Sequence, residues 1–183
     1  LVLASMFVAP FAVAADEVEE APEFLLGDFG VRVDLSSKWK MTRWSDWDLK
    51  AETGDPLLFQ AWGTPYQSDV NAVDPKLWER VYSDRIDEEM GGAKEIKLTS
   101  AAVEKVGGHD VVLADFDLVL NSGTKAVLRG VTLPVEGQMF HMAVVSVNRF
   151  KGKADRARTQ LIEELDVRSE PGEFDADVTV EGA

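Results

Sequence analysis

Two runs of alternating apolar residues that face each other across Asn121-Ser122-Gly123 constrain the fold of this chain more than any other feature. From His109 to Leu120 the apolar positions are Val112, Ala114, Phe116, Leu118 and Leu120; from Lys125 to Leu133 they are Val127, Val131 and Leu133. A period of two lines up such residues on one face of a strand, and Asn-Ser-Gly has the chemistry of a hairpin turn. An antiparallel sheet is therefore the first requirement on the fold.

More strands extend it on both sides. Val135-Glu136-Gly137 turns the chain into Met139–Val147, a run apolar on both faces, which suits a central strand covered on each side. Upstream, Lys94–Val106 is strand-like and ends at Gly107-Gly108. Nearer the start, Phe29–Leu35 alternates, and Trp39–Trp44 and Trp47–Ala51 flank Ser45-Asp46. Gly54-Asp55-Pro56 turns into Leu57–Trp62, a denser and more buried strand.

Helices interrupt the strands twice. Asp74 is a natural N-cap and Pro75 fits the first helical position. Trp78, Tyr82, Ile86 and Met90 then recur every four residues, an apolar stripe that ends at Gly91-Gly92. A second helix is predicted from about Ala154 to Glu164, with a poorly marked start at Lys151-Gly152-Lys153. This order predicts the α+β class, an antiparallel sheet of about six to eight strands with helices on both faces, an α-β-α sandwich.

The ends differ from the middle. Leu1–Ala15 is uncharged and mostly apolar, closes on Ala12-Val13-Ala14-Ala15, and is followed by Asp16-Glu17-Val18-Glu19-Glu20. That is the apolar core and small-residue cleavage site of a secretory signal, expected to be cut after Ala14 or Ala15. The initiator Met and basic flank of such a signal do not precede it, so it reads as truncated at its N-terminus. A membrane span needs about 20 apolar residues, and Ser5 and Pro10 interrupt this run. The expected location is periplasmic or secreted, with no stable membrane anchor after cleavage.

The net charge is −14, but ten of the 33 acidic residues, and none of the 19 Lys and Arg, lie before residue 24 or after Arg168. The middle therefore carries only −4. Without clustered Lys and Arg, nucleic acid is excluded as a partner. The chain has no cysteine, hence no lipid-attachment thiol, disulfide framework or thiolate metal site. The organisation expected is a signal at 1–15, an acidic linker at 16–27, one domain at 28–168 and an acidic, disordered tail at 169–183.

A family resemblance follows from four features. These are Phe29-x-Val31-x-Val33-Asp34-Leu35-Ser36-Ser37-x-Trp39, the mid-chain helix, Gly107-Gly108-His109 before the long alternating strand, and a final helix leading to Leu165-Asp166-Val167. Over residues 28–168 the chain resembles the PsbP-like superfamily. That group is named for an extrinsic photosystem II subunit and includes exported bacterial domains of unknown function. The resemblance implies the α-β-α sandwich and a non-enzymatic role. It brings no catalytic motif to carry across.

Candidate chemistry is sparse. Asp115 and Asp117 share a strand face with His109, and two carboxylates about 7 Å apart along a strand can share a hard cation. A solvent-facing polar stripe accounts for the same pattern. His141 lies in an apolar strand without a sequence-marked partner for base catalysis, and Gly91-Gly92 and Gly107-Gly108 lack phosphate-cradle spacing. All five tryptophans fall between Trp39 and Trp78. Trp44, Trp47 and Trp62 form the candidate binding surface, because aromatic side chains are enriched where proteins dock. No catalytic, cofactor or metal residue is assigned. The leading expectation is a monomeric, cofactor-free binding or assembly module of the cell envelope, with an envelope protein or small ligand as partner. The alternatives are a carrier holding its ligand between helix and sheet near Trp44 and Trp62, and a metal-assisted hydrolase using Asp115 and Asp117 with a histidine.

Overall fold

The structure, a computed structural model, describes residues 23–26, 31–34, 38–45, 48–54, 56–64, 74–90, 92–135 and 138–167. Residues 1–15, read as a signal, residues 169–183, read as an acidic tail, and Trp47 lie outside the described residues.

The main sheet has seven strands, all paired antiparallel. In chain order they are β3 (Trp39–Ser45), β4 (Asp48–Thr53), β5 (Leu57–Thr64), β6 (Ala93–Val106), β7 (His109–Leu120), β8 (Lys125–Val135) and β9 (Gln138–Val147). In space they run β3-β4-β5-β9-β8-β7-β6. The strand that is apolar on both faces, β9, therefore sits in the middle, as its composition requires. Gly107 and Gly108 both have positive φ, the conformation that a two-residue hairpin turn demands and that glycine adopts without steric cost.

Helix α1 (Pro75–Met90) begins as its sequence dictates. The Asp74 carboxylate accepts the Lys76 backbone N–H at 2.9 Å, and the Asp74 carbonyl accepts from Leu77 and Trp78. Helix α2 (Lys151–Glu163) starts three residues earlier than its pattern indicates and follows a single 3-10 turn at Asn148–Phe150. It has no side-chain cap, which is why its start is poorly marked in the sequence.

Each helix gathers its own apolar cluster. Trp78, Tyr82 and Ile86 of α1 pack with Phe116, Leu128 and Val145. Ala154 and Leu161 of α2 pack with Val111, Val127 and Val144. Adjacent strand residues such as Val127 and Leu128 thus belong to different clusters, as alternating side chains must.

The α1 side of the sheet has a trough. Ala143, Gly130 and Ala114 are direct neighbours across β9, β8 and β7. In this row of small residues the Tyr82 ring lies against the strand backbone. A Cβ added to Gly130 would come within 2.5 Å of the Tyr82 hydroxyl oxygen and 2.6 Å of its Cζ.

A second sheet of three strands was not anticipated from the sequence. It joins β1 (Glu23–Leu26), β2 (Val31–Asp34) and β10 (Leu165–Val167), with β2 in the middle. Residues 23–26, read as part of the acidic linker, are paired with β2 from Glu23↔Asp34 to Leu26↔Val31. Among the described residues no helix is long and apolar enough to cross a membrane.

Candidate functional site

Beside the small-residue trough runs a row of larger polar and aromatic residues. Asp48, Trp62, His141 and Thr132 are consecutive neighbours across β4, β5, β9 and β8. Tyr82 and Trp78 close over the row from α1, their rings 6.2 and 6.3 Å from the His141 ring. Trp62 stacks on His141 at 5.3 Å with 26° between the planes.

Hydrogen bonds order this row in one direction. Thr64 Oγ1 donates to the Met139 carbonyl at 3.4 Å and so accepts from His141 Nε2 at 3.3 Å. His141 Nδ1 is then the acceptor facing Thr132 Oγ1 at 2.9 Å, and the Tyr82 hydroxyl supplies Thr132 at 3.0 Å. A neutral imidazole has one donor and one acceptor, so this pattern assigns the Nε2–H tautomer. Burial pushes His141 down from 6.5 to about 3, and raises the Tyr82 phenol above its ordinary range despite the Thr132 hydrogen bond. Both groups remain neutral near pH 7. Among the described residues the hydrogen-bond partners of His141 are two threonines, and its ring is packed in the core.

The accessible part of the row is a cleft of about 300 Å³ at its Trp62 end, lined also by Thr64, Leu77, Arg80, Val81, Asp84 and Arg85. Arg85 lies over the Trp62 ring at 5.6 Å and pairs with Asp48, so Asp48, Arg85 and Trp62 form one fixed wall. Trp62 itself is buried, with 6% of its surface exposed. Trp44 is placed by its backbone opposite Leu49 on β4.

The carboxylates singled out in the sequence occupy different surroundings. Asp115 is not on a solvent-facing stripe, since its side of β7 also carries Val111 of the α2 cluster. It lies 2.6 Å from Arg158 of α2 and 3.6 Å from Arg129 of β8. Arg129, only 2% exposed, reaches Asp155 at 2.6 Å and donates to the Leu128 carbonyl at 3.1 Å. Asp117 is exposed and pairs across the ladder with Lys97 and Val127. His109 is six strand positions from Asp115, about 20 Å, and His141 belongs to the opposite side of the sheet. The structure therefore brings neither histidine to these carboxylates. Among the described residues no three His, Asp or Glu side chains converge as metal ligands.

The Arg129 network was missed from the sequence, although Arg129 falls between Val127 and Val131 on an apolar strand face. Its partners Asp155 and Asp115 are partly exposed and Asp115 keeps Arg158, so removing Arg129 strips charge-assisted hydrogen bonds without stranding a buried charge. Arg129→Met is expected to lower unfolding stability by about 2 kcal/mol in urea titration. A loss under about 1 kcal/mol, the value of an exposed pair, would contradict the structural role assigned to the network.

No family model matches this sequence, and no curated protein does. Solved structures do. The solution structure of cyanobacterial PsbP (CyanoP) from Synechocystis sp. PCC 6803 superposes with a TM-score of 0.62 at 6% identity, over 87% of this chain and 100% of that one. The fold is PsbP-like. A crystal structure from Bacteroides thetaiotaomicron VPI-5482 matches with a TM-score of 0.52 at 14% identity, and there the PsbP-like chain covers 50% of the other's length. At such identities the likeness is one of backbone. The Trp62 cleft and the His141 row are features of this chain's own side chains on a PsbP-like sheet.

Proposed function

We propose that this chain is an exported, non-enzymatic binding or assembly module of the cell envelope, monomeric and without a cofactor. Its layers are those of an α-β-α sandwich, with α1 over one sheet face and α2 over the other, a reading supported by the two separate apolar clusters. The observation that carries the functional reading is the state of the chemically competent groups. His141 is sealed under Trp62, Trp78 and Tyr82, and Asp115 is held by two arginines. What remains accessible is a cleft with an aromatic wall and charges of both signs, Arg80, Arg85 and Asp84, suited to docking a protein segment. Export rests on the apolar segment at 1–15 and its small-residue cleavage site.

In vivo photo-crosslinking of the full chain tests this. A photoreactive residue replacing the exposed Arg80 at the cleft is expected to give a defined adduct with an envelope protein. The same residue at Thr124, on the β7–β8 turn, is expected to give none. Equal patterns from both positions, or no adduct from position 80, would overturn the docking reading. A hydrolytic activity of the purified chain that vanishes in His141→Gln would overturn the non-enzymatic one.

A further inference from the structure

The largest cavity among those described is not the Trp62 cleft. It measures about 680 Å³ and lies on the α2 side, between that helix and the edge formed by β3, β4 and the start of β5. Its floor is apolar, made by Trp39, Leu57 and Ala157; Trp39 and Leu57 are 8% and 9% exposed and belong to the α2 cluster. Three cationic side chains surround it: Lys38 from the turn before β3, and Lys153 and Arg156 from α2. Among the described residues no Asp or Glu lines it.

That composition runs against the rest of the molecule. In a central region of net charge −4, a cavity whose described lining holds three cations and no carboxylate is locally positive, and opposite charge is what such a site attracts. The volume falls in the range of small-molecule sites, roughly 300–1,000 Å³. Lysine offers a point charge, and arginine a planar fork that matches a carboxylate in two-point geometry. An ammonium or guanidinium at the rim fixes an anionic head, while the floor removes an apolar body from water at about 0.8 kcal/mol per methylene.

We propose that this cavity is a binding site for a free amphipathic anion, a carboxylate head on an unbranched apolar chain. The head meets Arg156 and Lys38, and the chain lies along Trp39, Leu57 and Ala157. The site is separate from the Trp62 cleft, so either can fail while the other stands.

Isothermal titration calorimetry of the purified chain with laurate, below its micellar concentration, tests the proposal. Saturable one-to-one binding is expected, with no heat from dodecyltrimethylammonium, which has the same chain and the opposite charge, and none from inorganic phosphate, which has charge and no chain. Lys38→Glu with Arg156→Glu reverses two exposed charges and is expected to weaken laurate at least tenfold with an unchanged melting temperature. Arg156→Lys is expected to retain most of the affinity. No laurate binding, equal binding of the cationic detergent, or unchanged affinity in the charge-reversed variant would each overturn it.

Discussion

Below about pH 6.5 the protein is expected to lose stability steeply, and His141 is the reason. The folded state keeps this imidazole neutral down to about pH 3, whereas an exposed histidine takes up a proton near 6.5. Above 6.5 both states are neutral and the group makes no pH-dependent contribution. As the pH falls from there the unfolded chain binds a proton that the folded chain excludes, so unfolding is favoured by up to about 1.4 kcal/mol per pH unit. Burial explains the resistance: the residue is 2% exposed, and a charged imidazolium there would lose its hydration. Ordinary carboxylates titrate near 4, so the slope between pH 6.5 and 5 reports on histidine. Urea titrations at half-unit steps should show that slope in the native chain and a much flatter profile in His141→Gln, whose amide can still donate to Thr64. A flat native profile, or the same slope in the variant, would remove His141 from this role.

Gly130→Ala is expected to destabilise the protein strongly by adding a single methyl. The new Cβ would meet the Tyr82 ring at 2.5 to 3.0 Å, and Tyr82 is fully buried between α1 and the sheet. Overpacking a filled core costs typically 1–3 kcal/mol, and with no solvent-facing escape for the ring we expect about 3 kcal/mol. The damage should depend on Tyr82. In Tyr82→Leu, itself destabilised by the lost ring, the further effect of Gly130→Ala should fall below about 1 kcal/mol, a coupling readable from a double-mutant cycle. Additive effects would mean that the trough does not seat the helix through this contact.

Much of the fold was legible because long periodic elements announce themselves. Asp74-Pro75 and the stripe Trp78, Tyr82, Ile86 gave α1, and the two-faced apolarity of Met139–Val147 gave the central strand. The second sheet was hidden because β1 and β10, four and three residues long, are too short to show a period. Asp115 looked like solvent-facing polarity because an ion pair beneath a helix and a wet surface have the same composition; only the position of Arg158 on α2 distinguishes them. The site was less legible still. His141 stood out as a residue, but its partners Thr64, Tyr82 and Thr132 come from three other elements, and no local pattern joins them. Trp62 was read within a buried strand and named as part of the candidate binding surface; the structure buries it, sets Arg85 over its ring and leaves it lining the cleft.

The small sheet also has a kinetic side. Its middle strand, β2, lies early in the chain, and its partner β10 comes last among the described elements, with Val31 opposite Val167. The β2–β10 pairing cannot form until synthesis has passed residue 167. Contacts so distant in sequence form slowly, since the connecting chain must be ordered before they repay its entropy. The main sheet, complete at Val147, does not wait for that pairing, so the small sheet is the last part of the described fold able to close.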